Sequence, residues 1–94
     1  MKTYHFDPAE MLDSEDAVID FLDAALEDGD PAHIADCLGI VARSKGMTEI
    51  AKRTGIARQA LYQSLSEVGN PTLTTLTAVL DALGLRLAIE RKAA

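Results

Sequence analysis

The side chains in this sequence that are best suited to chemistry are hydrogen-bonding groups gathered in one short segment, residues 57–63. Arginine can donate in bidentate fashion to guanine, glutamine can pair with adenine, and an alanine methyl can touch the methyl of thymine. The candidates for reading bases in this way are Ala57, Arg58, Gln59, Tyr62 and Gln63. They are either ordinary exposed helix residues or, as we predict, a surface that reads double-stranded DNA.

Two predicted helices around Gly55 would carry that surface as a helix-turn-helix. Residues 48–54 and 57–65 both show helical spacing of apolar residues, and Gly55 between them can adopt the positive φ that a tight turn requires. Ala51 is small where the helices approach most closely, and Leu61 is expected to pack beneath the second helix. The second helix is therefore predicted to lie in the major groove.

A second set of side chains is suited to holding DNA phosphates. Lysine, arginine, small polar side chains and helix N-termini are common phosphate donors, and they fix register without reading sequence. For two of the candidates, Lys52 and Arg53, the alternative is an ordinary solvated charge. The full set of predicted phosphate-binding residues is Lys45, Thr48, Lys52, Arg53, Ser64, Asn70 and Thr72.

Two amphipathic helices are predicted before a basic link at residues 43–46. The first runs from Ser14 to Gly29, and the second starts at Asp30 and Pro31, where an acid can cap the helix and proline suits its first position. Their apolar stripes comprise Val18, Phe21, Leu22, Ala25 and Leu26, then Ile34, Cys37, Leu38 and Val41. Cys37 is therefore interpreted as a core residue.

The carboxyl-terminal part predicts one more helix and a strand. Residues 72–83 have helical spacing, and residues 85–91 alternate between apolar and polar, which predicts a strand at which two chains could pair. Tyr4 and Phe6 weakly indicate a short extended segment at the amino-terminal end. The fold class is predicted as all-α, a five-helix repressor-like helix-turn-helix domain with short extended segments at both ends. The stripe predicted to be buried in the last helix is Leu73, Leu76, Val79, Leu80 and Leu83.

Charge is divided unevenly along the chain. Residues 1–40 contain eleven acids and one base, a balance of −10, whereas residues 41–94 contain eight bases and four acids, a balance of +4. A basic half can attract phosphate while an acidic half meets a basic protein; alternatively, the acidic helices are simply well solvated. A single domain is expected, made of acidic N-terminal helices (1–43), a helix-turn-helix core (45–84) and a C-terminal strand (85–91).

Composition argues against several other classes of protein. Cys37 cannot form an internal disulfide, and together with His5 and His33 it provides too few ligands for zinc, so no metal or cofactor is expected. No His, Cys or Ser constellation has a spacing suited to general-base or nucleophilic catalysis, so we predict no enzyme, and we interpret both histidines as surface or packing residues. No apolar stretch approaches the roughly 18 residues of a membrane span, and a signal peptide is not evident, which predicts a cytoplasmic protein.

The 94-residue chain also suggests a homodimer. A core of this size leaves a stability of only about 5 to 10 kcal/mol, which further apolar burial between two chains would increase.

Eight sequence blocks carry a resemblance that covers nearly all of the chain. The most telling are Gly69-Asn70-Pro71-Thr72-Leu73 and Ala82-Leu83-Gly84-Leu85; the others are residues 6–10, 12–13, 24–27, 29–31, 46–51 and 60–62. They resemble the phage repressor/Cro-like (XRE) helix-turn-helix superfamily and, more closely, the probable addiction-module antidote family, which is similar to the HigA antitoxins.

That resemblance implies a small type II antitoxin that neutralises a RelE/ParE/HigB-like ribonuclease toxin. The toxin would be a basic protein of about 100 residues, the usual size of one domain, and the antitoxin dimer would repress their shared operon. The family usually has serine at position 57 and often glutamate at position 59, whereas Ala57 and Gln59 stand here. The resemblance therefore does not predict the operator sequence.

The helix-turn-helix is also compatible with two other functions. A free-standing transcriptional repressor without a toxin partner would need the same DNA-reading helix. A module that binds only proteins, its DNA surface having decayed, is the other alternative.

Overall fold

A computed structural model describes residues 12–93, and within that range the chain forms five helices and no strand. The helices are α1 (Glu15–Asp28), α2 (Pro31–Lys45), α3 (Met47–Thr54), α4 (Arg58–Ser64) and α5 (Leu73–Ala82). The predicted all-α, five-helix fold is confirmed. The extended segment predicted around Tyr4 and Phe6 lies outside the described residues.

Side-chain caps determine where three of the helices begin. A backbone amide in the first turn lacks an intrahelical acceptor, so a polar side chain just before the helix stabilises it. The side chain of Ser14 accepts such a bond from the first turn of α1, that of Asp30 from α2 and that of Thr72 from α5. The three donor–acceptor distances are 3.1 to 3.2 Å. All three helices therefore begin within one residue of the predicted position.

The basic link predicted at residues 43–46 is mostly helical. Helix α2 continues to Lys45, and only Gly46 separates it from α3. Arg43 and Lys45 lie in the last turn of α2, where positive charge is favourable beside unpaired carbonyl groups. The prediction of a link was wrong because basic residues that end a helix have the same composition as a linker.

One hydrophobic core is shared by all five helices. Cys37 belongs to it, as predicted, and its Sγ lies 3.5 Å from Nε2 of His33. Burial, and secondarily the charge of Asp36, raise the pKa of the Cys37 thiol, so the sulfur stays protonated and packs as an apolar group. The buried members of this core cluster are Leu12, Val18, Leu22, Ala25, Cys37, Leu38, Val41, Ala42, Met47, Ile50, Leu61, Leu65, Val79 and Leu80.

Two leucines of the predicted apolar stripes are exposed. Leu73 is 70% exposed because it is the first residue of α5, one turn before Leu76 packs against the core. Leu26 is 45% exposed because it lies at the edge of the apolar stripe of α1, away from Val18 and Ala25. Helical spacing identifies a face of a helix but does not show how far along that face the neighbouring helices extend.

The turn between α3 and α4 has the predicted conformation. Gly55 has φ = 74°, which is strained for residues with a side chain, and its N–H donates to the Ala51 carbonyl at 2.9 Å. The Thr54 hydroxyl accepts from the Ile56 amide at 3.2 Å, which closes the turn. Leu61 of α4 is fully buried, so the helix is anchored to the core from beneath.

The segment after α5 has no regular secondary structure. Leu85 packs against the core, whereas Leu87 is partly exposed and Ile89 is fully exposed. The strand predicted at 85–91 is therefore not formed within a single chain, and pairing of two chains there stays a prediction. Among the described residues, no helix combines the length and apolar character needed to cross a membrane.

Candidate nucleic-acid interface

Helix α4 turns its predicted base-reading residues to solvent. Leu61 is fully buried, and it orients the helix so that the opposite side faces outward. All five predicted base-reading residues are exposed. They are Ala57, which precedes the helix, and Arg58, Gln59, Tyr62 and Gln63 within it. The structure therefore leaves all five predicted base-reading residues accessible, and we call this set of exposed residues the α4 face.

Two residues of the α4 face contact each other. The Cζ atom of the Arg58 guanidinium lies 5.6 Å from the centre of the Tyr62 ring, within the range of a cation–π interaction. A guanidinium held by its flat side over a ring keeps its N–H edge accessible. Tyr62 can therefore hold Arg58 ready to donate hydrogen bonds.

Four of the predicted phosphate-binding residues are exposed and lie in the segments that flank α4 in the chain. Thr48 and Lys52 are one turn apart on α3, and Asn70 and Thr72 precede α5. The Thr72 hydroxyl already serves the first turn of α5, because it accepts from the Thr75 amide. These four side chains come from the segments immediately before and after α4 in the chain.

The other three predicted phosphate-binding residues lie differently. Ser64 is half-buried, and its hydroxyl donates to the Leu61 carbonyl at 3.4 Å. Lys45 and Arg53 line a surface cleft with Glu49 and residues 81–84, the end of α5, and no residue of α4 lines that cleft. The structure therefore groups Lys45 and Arg53 with α5 and apart from the α4 face.

Arg53 has a structural role that the sequence did not predict. Its Nε donates to Oε1 of Glu49 at 3.1 Å, and its Nη1 donates to the Ala82 carbonyl at 3.2 Å. Ala82 is the last residue of α5, so its carbonyl has no intrahelical donor. Arg53 thereby connects α3 to α5. The i, i+4 spacing of Glu49 and Arg53 was a sequence signal for the ion pair, but nothing in the sequence pointed to Ala82.

The helix-turn-helix is locally basic although the whole chain is acidic. Helices α3 and α4 contain three bases, Lys52, Arg53 and Arg58, and one acid, Glu49, which is paired. A locally positive surface can attract a polyanion in a protein with a net charge of −6. Between residues 12 and 93, no group of His, Cys, Asp or Glu side chains is arranged to hold a metal ion.

Comparison with known proteins identifies one family. A family model described as "Probable addiction module antidote protein" matches residues 2–91. An uncharacterised protein of Haemophilus influenzae is 38% identical over 86 residues, which cover 92% of this chain and 89% of that protein. No solved structure gives a significant match. The chain therefore belongs to the probable addiction module antidote protein family.

Proposed function

We propose that this chain is the DNA-binding antitoxin of a type II toxin–antitoxin module. It neutralises a RelE/ParE/HigB-like toxin in the cytoplasm and represses its own operon, as a HigA-like member of the repressor/Cro-like (XRE) superfamily. The observation that carries the proposal is the α4 face, five accessible residues suited to reading bases on the second helix of a helix-turn-helix. Membership of an antidote family supports the toxin as the second partner.

In the proposed DNA complex, α4 lies in the major groove. Arg58 donates to guanine O6 and N7, Gln59 and Gln63 pair with adenine, and Ala57 touches a thymine methyl. Tyr62 holds the guanidinium of Arg58 and contacts a base or a phosphate.

Phosphate contacts fix the register of α4 in the groove. Thr48 and Lys52 on α3 contact the backbone on one side, and Ser64, Asn70 and Thr72 contact it on the other. Lys45 and Arg53 contribute from the edge near the end of α5.

A homodimer places two copies of α4 in successive major grooves, about 34 Å apart. The two chains pair through residues 85–91, where the exposed side chains of Leu87 and Ile89 would be covered. The acidic part of the chain, residues 1–43, meets a basic toxin of about 100 residues, the size of one domain. Both roles are binding functions and need no catalytic group.

The experiment that tests the proposal is a salt-titrated binding assay against the DNA upstream of the chain's own gene. We expect specific binding whose affinity falls as salt rises, because lysine and arginine displace counterions from phosphates. Adding the product of the neighbouring gene should change that binding. Specific binding that no partner alters would identify a free-standing repressor, and absence of specific binding would exclude DNA recognition.

The substitution Lys52→Ala tests the phosphate contacts. We expect it to weaken binding to all sequences alike and to reduce the slope of log affinity against log salt concentration by about 1, because one phosphate contact is lost. The matched control is Lys92→Ala, which removes an exposed lysine outside α3 and α4 and should leave the slope unchanged. If Lys52→Ala altered the preference at a single base pair instead, its assignment to phosphate would be wrong.

A further inference from the structure

We propose that the exposed face of α1 is the surface on which the basic toxin docks, an inference that rests on the function proposed above. Helix α1 packs against α2 and buries Val18, Leu22 and Ala25. On its outer side, Ile19 is 44% exposed and Leu26 is 45% exposed. These two residues are seven apart, so they lie on one side of the helix two turns from each other.

A row of carboxylates runs beside this apolar pair. At 100° per residue, four acidic positions fall in one narrow sector adjacent to Ile19 and Leu26. All four are exposed, and they are Asp16, Asp20, Asp23 and Glu27. We call this combination of two apolar and four acidic residues the α1 face.

The stability of the isolated chain does not explain the charges on the α1 face. Asp16 and Asp20, and also Asp23 and Glu27, are like charges at i, i+4 spacing, which destabilise a helix. Glu27 also lies in the last turn of α1, which contains no base and where the helix dipole disfavours negative charge. The single ion pair found in residues 12–93 joins Glu49 and Arg53, so no base of that range neutralises the row.

A basic protein fits this face better than any other occupant. A groove with apolar walls and a flanking row of lysine or arginine would cover Ile19 and Leu26 and pair with the carboxylates, as an amphipathic helix docks in a groove. A second copy of the α1 face is excluded as the occupant because it would bring like charges together. DNA is excluded because its phosphates would be repelled by the carboxylates. Complementary charge would also speed the encounter of the two proteins.

The α1 face and the α4 face share no residue, so substitutions can separate the two activities. The variant Asp20→Lys/Glu27→Lys reverses charge on the α1 face while leaving its apolar pair intact. It should fold, because it replaces like-charge neighbours by opposite ones and introduces a base in the last turn of α1. Thermal unfolding of the variant checks this point.

The closing experiment measures the affinity of the purified neighbouring-gene product for the full-length chain. We expect the charge-reversal variant to bind it at least about tenfold more weakly, with its operator affinity retained. The control Glu67→Lys/Asp81→Lys makes the same change of net charge at exposed acids outside α1 and outside residues 85–91, and it should bind the product like the wild type. A further variant, Ile19→Ser/Leu26→Ser, should also weaken binding but leave its salt dependence unchanged.

The possible outcomes separate this inference from the proposed function. If the wild type and the charge-reversal variant bind the product equally, the α1 face is not the docking surface and the antitoxin proposal stands. If the wild type does not bind the product at all, both are overturned. If light scattering shows that the charge-reversal variant loses a dimer that the wild type forms, the α1 face is an interface between two copies and the docking inference is wrong.

Discussion

The double variant Arg58→Ala/Gln59→Ala is expected to lose at least about 30-fold in specific affinity for its operator. Each bidentate contact to a base contributes about 1 to 3 kcal/mol of discrimination, so the loss of two contacts amounts to 2 kcal/mol or more, and 1.4 kcal/mol corresponds to a factor of ten. Both side chains are exposed and lie in the first turn of α4, so their removal should not affect folding. Titration of operator DNA and of scrambled DNA at one salt concentration measures the ratio of the two affinities.

Two further variants distinguish base reading from general attraction to DNA. Arg58→Lys keeps the charge but loses the planar fork that matches guanine, so it should lower the ratio of specific to non-specific affinity while retaining the salt dependence. Lys92→Ala removes an exposed base outside both the helix-turn-helix and residues 85–91, and it should leave the ratio unchanged. If the double variant and Lys92→Ala behaved alike, α4 would not be the helix that reads the operator.

Features set by local interactions were predictable from the sequence. Ser14, Asp30 and Thr72 cap helices through bonds to amides no more than three residues away, so residue type and position were sufficient to locate the amino-terminal ends of α1, α2 and α5. Gly55 was identified for the same reason, because a positive φ is a property of one residue and its turn. The accessibility of Gln59 and Gln63 followed from helical spacing, because both lie nearly opposite the buried Leu61.

Features set by contacts between distant segments were not predictable in this way. The bond from Arg53 to the Ala82 carbonyl joins residues 29 positions apart, and it depends on how α3 and α5 pack. The exposure of Leu73 depends likewise on where α5 first meets the core. Helical spacing describes one helix at a time, so it does not specify which parts of different helices meet.

Gly39 is the residue at which packing between helices should have the largest effect on stability. It is buried in the middle of α2, where the carbonyl group of Leu65 at the end of α4 approaches it. A Cβ atom at this position would overlap the Leu65 carbonyl oxygen and would lie 3.2 Å from Nη1 of Arg43. Glycine is therefore required here because the backbones of two helices come close together.

Gly39→Ala is expected to lower the free energy of unfolding by about 1 to 3 kcal/mol, as an overpacked core position does. Helix propensity alone predicts the opposite sign, since alanine stabilises the interior of a helix by about 1 kcal/mol relative to glycine. Urea unfolding monitored by circular dichroism decides between the two, and Gly39→Val, with a larger side chain, should be less stable still. Because the obstructing group is the backbone at the end of α4, relief of the overlap must shift α4, so under the proposed function operator affinity should fall even where the variant is fully folded. A Gly39→Ala protein at least as stable as the wild type would contradict the close approach of α2 and α4.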